Sequence, residues 1–367
     1  MLQTVLRSDA RSTQRPMSVS IVISNYNYSG FVADAVESAV AQTHPEVEVI
    51  VVDDGSTDNS LEILARYPSV TVVAQENRGQ AGALNAGLAL ATGSTVIFLD
   101  ADDMLAPTTA AVVAEVFERR PDVVKVMYRL RVVDGQGMPT GELKPPAHLP
   151  LRSGDLRPYE LRFPFDMTWM ATSGNAFRAS ALERIFPIDE RDYHLCADWY
   201  LSHLTPLLGS VEFLDIVGGA YRFHGANNYE RQTGTLDLEQ VRQTIIYARR
   251  TAHHLVELAH ELDLDGRPAT EDDVIAVSEM WQRLLSLRLE PEHHPIPSDS
   301  RRRLLVLGLR GARRRFDVSL VLRLALGGWV LAVALTPRPL LPVLVRTLSL
   351  RDSPWLTPLL SRLHRGT

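Results

Sequence analysis

Cysteine is almost absent from this chain. One residue, Cys196, stands among 367, which excludes an intramolecular disulfide and any cysteine-built zinc site and is compatible with a reducing cytosol. The first 17 residues are mixed and polar and lack the apolar core of a secretory signal. They read as a flexible leader, and the active part is expected on the side of the membrane where it is made. No apolar run approaches the roughly 20 residues that cross a bilayer; the uncharged stretch 324–336 has thirteen. Internal repeats are missing. No glycine-rich turn follows the first strand-like segment, where "NYNYSGF" stands. That removes a dinucleotide fingerprint and counts against the phosphate loop of a sugar nucleotidyltransferase.

Acidic residues are scarce in one region only. Residues 301–367 carry thirteen Arg against Asp317 and Asp352, a local charge of about +11, so the other 300 residues sum to about −17 under an overall −6. An acidic body with a basic, leucine-rich tail suggests two tasks. Arginine clusters beside leucine in "RRRLLVLGLRGARRRF" suit an anionic membrane surface. Packing on the body or on a second subunit is the alternative. No aromatic–basic recognition module accompanies the tail, so nucleic acid is not expected.

The body alternates. Apolar, β-branched segments at 18–24, 47–53, 70–74 and 95–100 read as strands, and 31–42, 59–67, 80–91 and 107–119 carry helical spacing. Such alternation predicts an open, mostly parallel α/β sheet, whose ligands bind beyond the carboxyl ends of the strands. Residues 138–168 read as an irregular, proline-rich cover. Residues 181–186 and 197–209 read as helices, the second kinked or shortened by Pro206. Short strands are expected within 210–224, and helices from 236 onward.

Three strand ends deliver polar groups to one rim: Asn25, then Asp53 and Asp54, then Asp100, Asp102 and Asp103 in "LDADD". Carboxylates this close repel unless solvated, capping a helix, or sharing a cation. Mg²⁺ or Mn²⁺ takes oxygen ligands, and one or two carboxylates plus phosphate oxygens suffice. Strand alternation would turn Asp100 and Asp102 to the same side.

Three motifs in order, "VVDDGSTD", "NRGQAGALNAG" and "LDADD", resemble the nucleotide-binding half of family-two glycosyltransferases of the GT-A fold. Fainter matches follow in "TSGNAFRASALERI", "CADWYL" and "YRFHGANN", so that the resemblance covers residues 18–228. It implies a catalytic unit over 18–235, divided at 131/132 into nucleotide-sugar and acceptor halves, then a helical region over 236–367 with a membrane-proximal tail. Asp53 or Asp54 would bind the base or ribose of a UDP-, GDP- or dTDP-sugar. Asn25 and Tyr26 would line the base pocket. Asn77, Gly79 and Asn85 would lie beside the nucleotide, Asp100 would meet the ribose, and Asp102, with His224, the metal. Asp198 would be the base of an inverting transfer to a glycan or lipid-linked acceptor. The family usually has Glu-Asp there, and this chain has Ala197 before the Asp. A catalytically inactive nucleotide-sugar binding protein is therefore the competing reading. The enzyme is expected in the cytoplasm, peripheral to the inner face of the cell membrane.

Overall fold

The computed structural model describes residues 17–225, 227 and 236–348. Nearly all of the expected leader, positions 226 and 228–235, and the tail beyond 348 lie outside the described residues.

The first half follows its periodicity. Strands β1 (Val19–Asn25), β2 (Val47–Asp53), β3 (Thr71–Ala74) and β4 (Thr95–Asp100) alternate with helices α1 (Val32–Val40), α2 (Ser60–Leu64) and α3 (Gly79–Leu90). They pair in the order β3-β2-β1-β4, all parallel. Val19, Ile21, Val22 and Ile23 are wholly buried, as expected of a central strand covered on both faces. On one face α1 and α4 (Thr109–Arg119) pack through Val32, Val36, Val113 and Phe117. On the other, α3 lies so close that a Cβ at Gly87 would meet Val22 Cγ1 at 2.2 Å.

The second half makes the sheet mixed. Antiparallel β8 (Asn175–Arg178) joins β4 to β6 (Val123–Asp134), and β9 (Ser210–Phe223) lies parallel to β6 with β5 (Met104–Leu105) antiparallel at its edge. Within the region expected to be irregular, β7 (Pro139–Lys144) forms a hairpin with β6 across the "DGQG" turn. The two short strands expected over 210–224 are one strand of 14 residues. Register shifts against Tyr128, Arg129 and Leu130 carry it past Asp215. The helix expected over 181–186 is the shorter α6 (Ala179–Leu182), after α5 (Arg157–Glu160). Helix α7 (Ala197–Leu208) runs through Pro206; the proline stands in its last turn, where only one intrahelical donor is lost.

Helices α8 (Leu238–Glu261), α9 (Val277–Leu289), α10 (Arg301–Arg314), α11 (Leu320–Leu335) and α12 (Leu341–Leu348) complete the described chain. α8 packs on the α3–α7 face. The last four share a core of Met280, Leu284, Leu304, Trp329, Val330 and Val333. Much of the tail's apolar surface is thus spent on packing. Arg315 reaches Asp166 at 3.2 Å, Arg152 reaches Asp317 at 3.2 Å, and Phe316 sits against the rings of Tyr159 and Phe163, which fixes the tail to the body. Among the described residues no helix is long and apolar enough to cross a membrane.

Candidate active site

The carboxyl ends of β1, β2 and β4 lie side by side, and Gln80 of α3 ties the end of β4 to the start of α7. Asn25 and Asp53 are register partners on adjacent strands. Asn25 Nδ2 donates to Asp53 Oδ2 at 2.7 Å, and the N–H of Ser56 donates to Asp53 Oδ1 at 3.0 Å. Both side chains are buried, yet Asn25 Oδ1 has no partner among the described residues. A buried acceptor left unpaired costs about 1–3 kcal/mol, which suits a place awaiting a donor. The loop after β1 is tied to the loop after β2 by Asn27 N–H to Ser56 Oγ (2.9 Å) and Thr57 N–H to Asn27 Oδ1 (2.7 Å). Tyr26 stands out from it, 46% exposed.

Asp54 is employed within the protein. Its carboxylate accepts the N–H groups of Arg78 and Gly79, both at 2.8 Å, and the Gln75 amide at 2.7 Å. The two backbone donors stand at the start of α3, where N–H groups lack helical partners. Gly79 makes the turn: its φ is +78°, and a Cβ there would meet the His194 carbonyl at 2.3 Å. Asn85 is also taken up, exchanging two hydrogen bonds with the backbone of Ile188. Asn77 is exposed at the mouth.

The acidic rim is built less simply than alternation suggests. β4 ends at Asp100, and a turn, not the pleat, sets Asp102 and Asp103. Asp100 receives Gln80 Nε2 at 3.2 Å, and its N–H donates to Ser173 Oγ at 3.1 Å. Asp102 Oδ2 has His224 Nε2 at 3.1 Å and Asn227 Nδ2 at 3.4 Å. Asp103 is fully buried; Oδ1 accepts the Arg222 N–H at 2.9 Å, and Oδ2 has no partner among the described residues. Burial pushes all three carboxyls up, and for Asp100 and Asp103 mutual repulsion adds to it. Repulsion from Asp198 acts on Asp100 as well. Burial also raises Asp198 itself, against the Trp199 backbone, Lys144 and Lys125.

Several site residues were not singled out from the sequence. Gln80 bridges three elements, donating to Asp100 and to Thr172 Oγ1 (3.3 Å) while its Oε1 accepts the Ala197 N–H (2.9 Å). Arg222 is buried and reaches the Asp102 carbonyl at 3.0 Å and Asp34 at 2.5 Å. Tyr28 is pushed up by burial and by Asp102, Asp100 and Asp103. Gln80 lies inside a quoted motif, but nothing local marks its partners.

Among the described residues no group of three or more His, Cys, Asp or Glu forms a ready-made metal cage. The donor set nonetheless fits a hard cation that brings its own phosphate and water ligands. Asp102 offers a carboxylate with only two longer contacts, His224 a ring nitrogen beside it, and the buried Asp103 Oδ2 next to them has no partner among the described residues.

A sequence profile described as Glycosyl transferase family 2 matches residues 20–186. An uncharacterized glycosyltransferase of Nostoc sp. is 39% identical over 218 residues, 58% of this chain and 67% of that protein. The Escherichia coli protein named UDP-Glc:alpha-D-GlcNAc-diphosphoundecaprenol beta-1,3-glucosyltransferase WfaP is 39% identical over 88 residues, 23% of this chain and 35% of that one. The chondroitin synthase of Escherichia coli is 35% identical over 133 residues, 35% of this chain and 19% of that one. The match thus spans about two thirds of the first relative but about a third or less of the other two. The crystal structure of S. aureus TarS 1-349 in complex with UDP is 18% identical, with 90% of this chain and 91% of that chain covered at a TM-score of 0.51, a likeness of fold.

Proposed function

This chain belongs to glycosyl transferase family 2, and from that premise we propose that it transfers a sugar, with inversion and with a divalent cation, from a nucleotide sugar to a hydroxyl of a glycan or lipid-linked acceptor. The observation that carries the reading is that one amide, Gln80, reaches both Asp100 at the end of β4 (3.2 Å) and the N–H of Ala197 beside Asp198 (2.9 Å), which brings the acidic rim and the start of α7 together.

Asn25, Asp53 and Tyr26 receive the base and ribose of a UDP-, GDP- or dTDP-sugar. Asn25 Oδ1 supplies a free acceptor, and each Asp53 oxygen keeps a lone pair beyond its present bond. Asn77 and Gly79 border the nucleotide at the start of α3. Asp54 and Asn85 act through the loops they hold. Asp100 meets the ribose. Asp102 and His224 would hold Mg²⁺ or Mn²⁺. When bound, such a cation stabilises the negative charge that grows on the departing diphosphate. Asp198 lies in the first turn of α7, where the helix N-terminus favours its anion. It takes the proton of the acceptor hydroxyl, a step worth about 10²–10⁴-fold, as that oxygen attacks from the face opposite the diphosphate. Inversion follows, and no second nucleophile is needed.

The reading as an inactive binding protein rested on Ala197. That side chain is buried and its N–H holds Gln80, so the position serves the scaffold while Asp198 remains. WfaP, whose name gives a diphosphoundecaprenol-linked acceptor, favours a lipid-linked acceptor here. The described tail agrees with attachment to an anionic membrane face. Leu320, Val321, Leu324, Leu331 and Leu335 form one exposed stripe on α11, and residues 301–348 hold ten Arg against Asp317 alone. The test is nucleotide release from a panel of UDP-, GDP- and dTDP-sugars with Mn²⁺ or Mg²⁺. Release that ceases with chelator and in Asp102→Ala supports the enzyme. Tight donor binding with no turnover in any acceptor mixture contradicts it.

A further inference from the structure

The last strand ends in a buried arginine. Arg222, the next-to-last residue of β9, is only 3% exposed. Its guanidinium fork reaches three other parts of the fold. Nε donates to the Asp102 carbonyl at 3.0 Å, in the turn after β4. Nη2 donates to Asp34 Oδ2 at 2.5 Å, in the first turn of α1. Nη1 donates to the Gly135 carbonyl at 3.2 Å, in the turn between β6 and β7. The main-chain N–H of Arg222 donates to Asp103 Oδ1 at 2.9 Å. None of these bonds uses the Asp102 carboxylate.

That carboxylate is met two residues later by His224, whose Nε2 lies 3.1 Å from Asp102 Oδ2. Asn227 closes the circuit. Its Oδ1 accepts the His224 N–H at 3.0 Å, and its Nδ2 donates to the Arg222 carbonyl at 2.8 Å and lies 3.4 Å from Asp102 Oδ2. One aromatic ring serves both cationic side chains. Phe31, just before α1, stacks on the His224 imidazole with centroids 4.7 Å apart and planes inclined by 28°. The central carbon of the Arg222 guanidinium lies 5.0 Å from the centre of the same ring. Arg222 thus grips the main chain at Asp102 and shares a packing surface with the histidine that touches its side chain.

We propose that Arg222 is a positioning residue for Asp102 and His224: it fixes the turn after β4 from its main-chain side, so that the Asp102 carboxylate and His224 Nε2 face one divalent cation. The proposal rests on the reading of these two residues as the cation's holders. Asp102 lies beyond the pleat of β4, in a turn whose own bond is Asp103 N–H to the Asp100 carbonyl at 3.0 Å. Its direction is therefore set by what grips the turn from outside. Groups that orient a liganding side chain are typically worth about 10–100-fold in metal affinity. Lysine would not serve in place of Arg222. An ammonium keeps the charge but lacks the planar fork that spans Asp102, Gly135 and Asp34 together. Asp34 is the outer anchor: its side chain is half-exposed on α1 and bears on the rim through Arg222.

The test measures the cation rather than turnover. Mn²⁺ is titrated into the metal-free, full-length protein, alone and with a saturating mixture of UDP, GDP and dTDP. Water-proton relaxation above the nucleotide-only control reports the ion held on the protein. Wild type, Asp102→Asn, Arg222→Lys and Asp34→Asn are compared, each checked for folding by circular dichroism. Asp102→Asn and Arg222→Lys should each weaken Mn²⁺ binding by about tenfold or more, and Asp34→Asn by about threefold. Amide hydrogen exchange on the metal-free protein gives the second readout. The turn over 100–105 should exchange at least about threefold faster in Arg222→Lys and Asp34→Asn, while β1 and β2 keep their wild-type rates. Wild-type Mn²⁺ affinity in folded Arg222→Lys overturns the proposal. Exchange that quickens equally in β1, β2 and the turn assigns Arg222 to general stability and also overturns it. If Arg222→Lys does not fold, Asp34→Asn decides by the same two readouts. Mn²⁺ binding indifferent to Asp102→Asn sinks the cation reading and this proposal with it, whereas binding that needs Asp102 but not Arg222 sinks this proposal alone.

Discussion

His224 Nε2 lies 3.1 Å from Asp102 Oδ2, across 122 residues of sequence. The return of β9 to the sheet edge makes this contact, and Arg222, two residues earlier, binds the Asp102 carbonyl and the Asp103 carboxylate. The last strand thus closes the acidic rim that β4 opens.

Asp198→Asn keeps the shape of the side chain and removes the base. Turnover should fall by about 10²–10⁴, with the donor KM nearly unchanged. Steady-state kinetics over a donor series separates this from a loss of donor binding, which would raise KM instead.

Gln80 holds Asp100 and the start of α7 with one amide. Gln80→Leu leaves the Ala197 N–H and Asp100 each short of a partner. Hydrogen bonds to charged groups contribute about 1.5–3 kcal/mol, so kcat should drop by about tenfold to a hundredfold. An unchanged kcat would mean that the two elements hold their places without it.

The helical region carries its own pH signature. The Asp299 carboxylate is enclosed and meets Arg283 at 2.5 Å and His294 at 3.0 Å. Burial raises its pKa, but the hydrogen bonds from His294 and Arg283 outweigh this and hold it below the usual range. A depressed carboxyl stabilises the fold fully above its unfolded pKa, near 3.9, and that contribution disappears as pH falls through the folded value. Glu279, on the other side of Arg283, is pushed up by burial, so its contribution runs oppositely and at higher pH. Urea unfolding of Asp299→Asn should show a loss of about 3–5 kcal/mol at neutral pH and a flatter dependence below about pH 4.

The stripe on α11 should bind membranes. Leu320 and Leu324 are each 68% exposed, and burying a leucine contributes about 1.5–3 kcal/mol. The double variant Leu320→Glu, Leu324→Glu should sediment with phosphatidylglycerol vesicles at least about a hundredfold more weakly than the wild type. Binding that is equal for both, or absent from both, removes the membrane from the account.

Much of the first half was legible in the sequence, because its strands are buried on both faces and its helices each turn one face inward. Val96–Leu99 ending in Asp100 marked β4 to the residue. The second half resisted for physical reasons. β9 carries Asp215, Gly218 and Gly219 in mid-strand, and register shifts absorb them, so it read as two pieces. β7 is largely exposed at the margin of β6 and shows no apolar alternation. At the site, the rim acids were legible because three carboxylates in four residues demand an explanation. Gln80, Arg222 and Asn227 were not, since each acquires its meaning from a partner that only folding brings near. Asp54 shows the converse: a carboxylate placed with the ligand by resemblance finds three donors within the protein.

The most direct test is isothermal titration of the protein with UDP, GDP and dTDP, each with Mn²⁺ and with EDTA, in the wild type and in Asp102→Ala. The account predicts that at least one nucleotide binds the wild type in Mn²⁺ and weakens by tenfold or more, about 1.4 kcal/mol, on chelation and in Asp102→Ala alike. Nucleotide binding of equal strength in all four conditions would contradict it.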